Sequence, residues 1–303
     1  MPNLAQTKLA IGLIGAATGW GARRHHSEDG PAALQASGLV EQLLATGIPA
    51  HWLTSVYPAL RYASHQINQQ QEALPLVLAH VQDVAIAVAD AVKQDYFPVV
   101  LGGDHSVAIG TWSGLTQALG LGQNLGLLWL DAHLDSHTFA TSPSKACHGM
   151  GLATLLGQGE TSLVDLQSVG GKLSPKQVAV IGARSFEAEE VSLLQQLGVR
   201  VFLMTEVAER GLDTVLAEAL EIVTDRTGGF GLSLDLDSLD PSDAPGVGVP
   251  EAGGIKAAEL LAAFRLIRQH PGLKAIEIVE YTPQQDMDQR TAQLVAQILK
   301  ALL

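Results

Sequence analysis

Short blocks of unbroken apolar residues alternate with stretches whose apolar positions recur every three or four residues, and the alternation runs along nearly the whole chain. Residues 8–15 (KLAIGLIG), 97–101 (FPVVL), 125–130 (LGLLWL), 177–181 (QVAVI), 199–203, 230–234 (FGLSL) and 274–278 are long enough for a strand and too short for a helix. A further strand is placed near 51–53, before a polar loop at 66–72. Residues 31–46, 74–93, 107–119, 188–197, 205–223, 256–268 and 289–302 carry helical spacing, the first of them opening on a proline, which suits a helix start. Strands that lack a polar face must be covered on both sides. The pattern therefore predicts a three-layer α/β fold, a mainly parallel sheet of about eight strands with helices on both faces. No linker, repeat or low-complexity block interrupts it, so residues 1–303 are read as one domain.

Charge and cysteine usage narrow the function classes. A net charge of −13 lacks the basic footprint that non-specific nucleic-acid binding needs, and suits attraction of cations. The sequence shows no apolar run near 18 residues, so no membrane partner is expected. The opening residues run into strand-like sequence without a basic stretch, apolar core and cleavage site. The single cysteine, Cys147, cannot form an internal disulfide. These readings together place the protein in the cytoplasm.

Three polar clusters each follow directly on a predicted buried strand: Gly102-Gly103-Asp104-His105-Ser106, Asp131-Ala132-His133-Leu134-Asp135 and Ser233-Leu234-Asp235-Leu236-Asp237. Ligands of open α/β sheets bind outside the carboxyl ends of the strands. In the last two clusters the acidic or imidazole groups fall at every second residue, which in extended chain points them to one side. Taken singly, each cluster suits an ordinary turn or cap. Together they would bring four carboxylates (Asp131, Asp135, Asp235, Asp237) and two imidazoles (His105, His133) to one end of a hydrophobic sheet, where they repel unless a positive charge holds them. Two divalent cations supply that charge, and a donor set rich in oxygen and free of thiolate favours Mn²⁺. Two such ions roughly 3.5–4 Å apart activate water near neutral pH.

With these residues in view, the sequence resembles the ureohydrolase family, which includes arginase, agmatinase and formiminoglutamase. GGDHS, DAHLD and SLDLDSLDP are similar to its three signature motifs, and the flanking stretches IGLIGAATGWG, EDGPAALQASGLVEQL, GVGVPEAGG and IEIVEYTP look like arginase in the same order. The resemblance implies an arginase-like fold, two Mn²⁺ per chain and a small cationic guanidino substrate. L-arginine giving L-ornithine and urea comes first, with agmatine, another guanidino acid or a formimino compound as alternatives. It implies His105, Asp131, His133, Asp135, Asp235 and Asp237 as metal ligands, Asp135 also aiming the attacking water, and His148 as proton shuttle. Glu280 is implied as the carboxylate that pairs with the guanidinium group, an arrangement suited to charge-assisted bonds. It also implies a homo-oligomer, a trimer or hexamer.

The match departs from arginase where the substrate's amino-acid end is expected. Ser144 is retained, but His137 stands where arginases place asparagine, and a histidine differs from an amide in shape and titration. Glu187 and Glu190 are expected to take the α-amino group, Glu187 carrying one methylene more than the expected aspartate, with Phe186 beside it as packing. A non-catalytic, metal-stabilised binding protein is the alternative from another class. His51, His65, His80 and His270 have no ligand-spaced partners, and His25 and His26 are read as surface or rim.

Overall fold

The computed structural model describes residues 9–23, 25–59 and 70–303. Eight strands form one sheet: β1 (Ile11–Ala16), β2 (Ala50–Val56), β3 (Phe97–Gly102), β4 (Leu125–Leu130), β5 (Val178–Ala183), β6 (Arg200–Leu203), β7 (Gly229–Asp235) and β8 (Leu273–Val279). Their order across the sheet is β2-β1-β3-β8-β7-β4-β5-β6, and every pairing is parallel. The expectation of a mainly parallel sheet is met in full.

Eleven α-helices are seen among the described residues: α1 (Gly30–Ala36), α2 (Leu39–Leu44), α3 (Leu74–Lys93), α4 (Val107–Ala118), α5 (Gly151–Leu155), α6 (Thr161–Val164), α7 (Ala188–Leu197), α8 (Met204–Arg210), α9 (Leu212–Thr224), α10 (Ala257–Ala263) and α11 (Arg290–Leu302). Side chains alternate along each strand between two apolar layers. Leu128, Leu130, Leu232 and Leu234 face one layer, with α1, α2 and α8 to α11. Leu127, Trp129, Val178 and Val180 face the other, with α3, α4, α5 and α7.

Several expected helices are broken, each for a local reason. The helix expected at 31–46 divides at Gly38, whose φ of 74° lies in the left-handed region that favours glycine. Gly211, with φ 81°, divides the one expected at 205–223, and that at 256–268 ends in a 3-10 turn, Phe264–Leu266. The loop expected at 66–72 and His65 lie largely or wholly outside the described residues.

By length and composition α3 meets the test for a membrane-spanning helix, contrary to the expectation that no such run exists. It buries Val77, Val81, Val84 and Val88 within the fold. It also packs tightly on α4, where a Cβ added at Gly114 would stand 2.3 Å from the carbonyl oxygen of Ala85.

Candidate active site

The carboxyl ends of β3, β4, β7 and β8 carry the acidic and imidazole groups to one place. Gly103 lets this happen at β3: a Cβ there would stand 1.9 Å from the carbonyl oxygen of Thr18, so any other residue would push the strand end away. The chain then turns so that His105 Nδ1 lies 3.1 Å from Asp131 Oδ2, 3.0 Å from Asp135 Oδ2 and 3.2 Å from Asp235 Oδ2. His133 Nδ1 lies 3.1 Å from Asp237 Oδ2 and 3.4 Å from Asp131 Oδ1.

The way the ligand motifs converge differs from the extended geometry expected. The Asp131 carboxylate accepts the backbone N–H of His133 (2.7 Å), and that of Asp235 accepts the N–H of Asp237 (2.9 Å). These are tight side-chain turns, which fold the chain back on itself. Asp135 is reached at a positive φ of 46°, and the segment after Asp235 is a 3-10 turn, Leu236–Ser238. Alternation along a strand is thus replaced by turns that aim each group separately.

The protons on these groups show how the charge is balanced. Ser233 Oγ donates to Glu277 Oε1 (2.8 Å), so its lone pair must accept from His105 Nε2 at 2.9 Å. His105 therefore carries a proton on Nε2, and Nδ1 faces three carboxylate oxygens; burial opposes the charged imidazole, but Asp131, Asp135 and Asp235 outweigh it and raise His105 well above its ordinary range. Positive charge makes that arrangement favourable, supplied by a proton on the ring or by a metal ion that takes the proton's place. Burial raises Asp135 and Asp235 and pushes Asp237 up to about 6, whereas at Asp131 burial is outweighed by His105 and His133, which hold the carboxyl below the usual carboxylate range. The residues present fit two divalent ions, one group being His105, Asp131 and Asp235, the other Asp131, His133 and Asp237.

Supporting groups that look like core in the sequence hold this floor. Trp129 Nε1 donates to Asp131 Oδ2 (2.9 Å), and Trp112 Nε1 donates to Glu277 Oε1 (3.2 Å). Arg184 gives its N–H groups to backbone carbonyls of Gly182, Asp237, Ser238, Leu239, Glu251 and Ala252, tying the Asp237 turn to the neighbouring loop. Buried Asp104 accepts the N–H of Gly21 (2.9 Å) and so fixes the loop after β1. Of these, Asp104 lies in a cluster that the sequence brings forward, and the others carry no spacing signal.

A cavity of about 370 Å³ opens over the metal floor. Glu280 enters it at a positive φ of 64°, held by its N–H donating to the carbonyl of Gly103 (2.8 Å). Its Oε1 accepts the N–H of His105 (2.9 Å) and faces His148 Nδ1 at 3.2 Å, while no hydrogen bond to Oε2 is seen among the described residues. Burial opposes the charged form of His148, but Glu280 outweighs it and raises the imidazole to about 9. Cys147 beside it is a bystander: burial pushes its thiol up to about 12.

The rim gathers the remaining sequence candidates. His137, Ser144, Glu187 and Glu190 all line the cavity, joined by Arg23 and Val249, which the sequence reading did not single out. His137 is buried, its Nδ1 3.1 Å from Thr141 Oγ1 and its Nε2 3.1 Å from Glu187 Oε2. Glu190 is buried as well, accepting the N–H of Ser136 (3.1 Å) and of Glu187 (3.0 Å). Phe186, expected as packing, is more than a third exposed. A larger groove, about 540 Å³, lies beyond the opposite ends of β1, β3 and β8, where apolar residues and His270 offer no comparable chemistry.

Comparison with known proteins agrees with this geometry. The model of the Arginase family matches residues 9–303. The chain belongs to the arginase family. It is 36% identical to the arginase of Bacillus subtilis over 293 residues, covering 97% of both chains. The crystal structure of that arginase superposes with a TM-score of 0.88 at 36% identity, covering 97% of this chain and 98% of the other. The Entamoeba histolytica arginase, solved in complex with L-ornithine, gives a TM-score of 0.87 at 25% identity with the same coverage. As an arginase-family protein the chain is a metal-dependent ureohydrolase with the family's α/β fold.

Proposed function

We propose that the protein hydrolyses L-arginine to L-ornithine and urea at two Mn²⁺ ions held by His105, Asp131, His133, Asp135, Asp235 and Asp237. The observation that carries this reading is the juxtaposition, in one cavity, of the acidic and imidazole floor with Glu280, whose Oε2 no described residue engages. When bound, the two ions supply an activated water and neutralise the charge that develops on attack. Glu280 Oε2 takes the planar guanidinium group and sets its carbon over the floor. Asp135 accepts a hydrogen bond from the attacking water and aims it. His148, protonated at neutral pH by its pairing with Glu280, delivers a proton to the leaving amine. Ser144, His137, Glu187 and Glu190 hold the amino-acid end, the two glutamates taking the α-amino group.

One observation favours a second reading. Both ring nitrogens of His137 are engaged, by Thr141 and Glu187, which leaves no donor there for an α-carboxylate. A guanidino amine without that carboxylate, such as agmatine, fits such a rim. Family resemblance supports a cytoplasmic homo-oligomer, trimer or hexamer, which light scattering tests directly. The chemistry is tested by urea release from Mn²⁺-loaded protein across arginine, agmatine and guanidino acids, with metal content determined on the same sample. Arginine is expected to give the highest kcat/KM. A higher value for agmatine moves the assignment to the second reading, and two bound metals without urea from any of them overturns both.

A further inference from the structure

One carboxylate that does not line the cavity meets a floor ligand from behind. His133 turns Nδ1 toward Asp131 and Asp237, so the opposite nitrogen, Nε2, faces outward. Glu251 Oε1 stands 3.9 Å from that Nε2, on a side chain about one-third exposed.

Three observations set Glu251 apart from an ordinary surface acid. The first is that its carboxylate is held. Ser185 Oγ donates to Oε1 (3.1 Å), and Ser185 is itself fixed by its N–H, which donates to the carbonyl of Ala132 (3.0 Å), the residue before His133. The second is that its loop is closed at both ends. Val247 bridges to Tyr281 and Ile255 to Leu239, and between these bridges Arg184 donates to the carbonyls of Glu251 (2.8 Å) and Ala252 (3.2 Å). Gly254 permits that approach, because a Cβ there would stand 2.6 Å from Arg184 Nη2. The third is charge. Among the described residues no lysine or arginine forms an ion pair with the Glu251 side chain, and His133 is the basic group it meets.

We propose that Glu251 is a positioning residue for His133. It touches neither ion nor substrate. From behind the ring it keeps Nδ1 aimed at the floor, and its charge strengthens the imidazole as a donor to the ion of the Asp131, His133 and Asp237 group. At 3.9 Å the attraction is electrostatic, and about 1 Å of movement in the partly exposed carboxylate brings it to hydrogen-bond length. The other floor histidine is backed in the reverse order: Ser233 stands behind His105, and Glu277 behind Ser233. Each histidine thus has a hydroxyl and a carboxylate behind it, one pair inside the sheet and the other on loops. The proposal rests on the two-ion reading of the floor given above.

The test is Mn²⁺ bound per chain in holoenzyme dialysed against graded free Mn²⁺, for the natural protein, His133→Asn and Glu251→Gln. His133→Asn marks which binding step belongs to the ion at His133. Glutamine keeps an oxygen for Ser185 and removes the charge. The expected result is that Glu251→Gln weakens that same step about 10–100-fold and leaves the other within about threefold. A Glu251→Gln profile that overlays the natural one overturns the proposal, and so does a shift in the other step or an equal shift in both. Glu251→Ala separates charge from scaffolding. It is expected to match Glu251→Gln; a loss seen with alanine alone assigns Glu251 to holding its loop through Ser185 and overturns the proposal. A natural protein that binds fewer than two Mn²⁺ at every concentration overturns the two-ion reading itself, and the proposal with it.

Discussion

The floor and the rim of one cavity are built on different terms. In the floor, each ligand leaves the end of a buried strand and is fixed by a turn, and Trp129, Ser233 and Arg184 stand behind the ligands or their turns. In the rim, Ser144 sits in the long connection after β4, while Glu187, about half exposed, stands at the start of α7. The floor motifs resemble those of the family, whereas the rim carries histidine where that resemblance leads to the expectation of asparagine, and glutamate for the expected aspartate. Chemistry that must be held to fractions of an ångström is placed on the sheet, and substrate choice is placed on loops that tolerate change.

That contrast breaks most visibly when the metals are removed. Chelation is expected to lower Tm by roughly 10 °C, because two ions held at about a hundredfold excess over Kd contribute on the order of 5 kcal/mol to the folded state. Calorimetry with and without chelator checks this, and an unchanged Tm would mean the floor is stable without its ions. Asp135→Asn comes next, with turnover down about 10²–10³-fold, the loss typical when one group that stabilises a transition state is removed. Near-native turnover in that variant would remove Asp135 from the mechanism.

Burial alone needs its own control, and His80 provides it. It is as buried as His105, yet neither nitrogen has a partner, and burial lowers it from 6.5 to about 4. The unfolded chain takes up this proton at higher pH than the folded one. Its contribution is therefore complete above pH 6.5 and is lost as the pH falls toward 4, about 3 kcal/mol in all. His80→Leu should flatten the stability profile over that window, measured by denaturant melts; a parallel profile would assign the acid sensitivity to the carboxylates. The smallest effect belongs to the rim, where Ser144→Ala is expected to raise KM for arginine by about three- to tenfold, the loss of one hydrogen bond, with kcat held within about twofold. A fall in kcat of the floor's size would erase the distinction between the two regions.

Much of the floor was legible because its residues combine two signals, a buried strand and a ligand-rich terminus, that rarely coincide by chance. The strands at 125–130 and the helices at 74–93 and 188–197 were read to the residue, since their apolar periods are clean and their ends carry turn chemistry. Gly38 and Gly211 were passed over because a single glycine within a helical period is tolerated as often as it breaks one. The short helices α5 and α6 have too few residues to show a period at all. Glu277 escaped notice, and Ser233 was named in its cluster without a role, for another reason: inside a strand, a residue that holds a ligand from behind looks like any other core position. The His137–Glu187–Glu190 convergence joins segments fifty residues apart, and only the adjacency of β4 and β5 brings them together.

The position of β8 bears on how such a molecule comes into being. Although it spans Leu273–Val279, it lies in the middle of the sheet, between β3 and β7. A growing polypeptide must therefore keep a central slot open until more than nine-tenths of the 303 residues have been made. Until that strand arrives, β3 and β7 present unpaired edges to the cell, and Glu280 is not yet there to meet His105. Competence for metal and for catalysis is gained late and together, and the interval before it is when the nascent protein is most exposed to aggregation and most in need of chaperones.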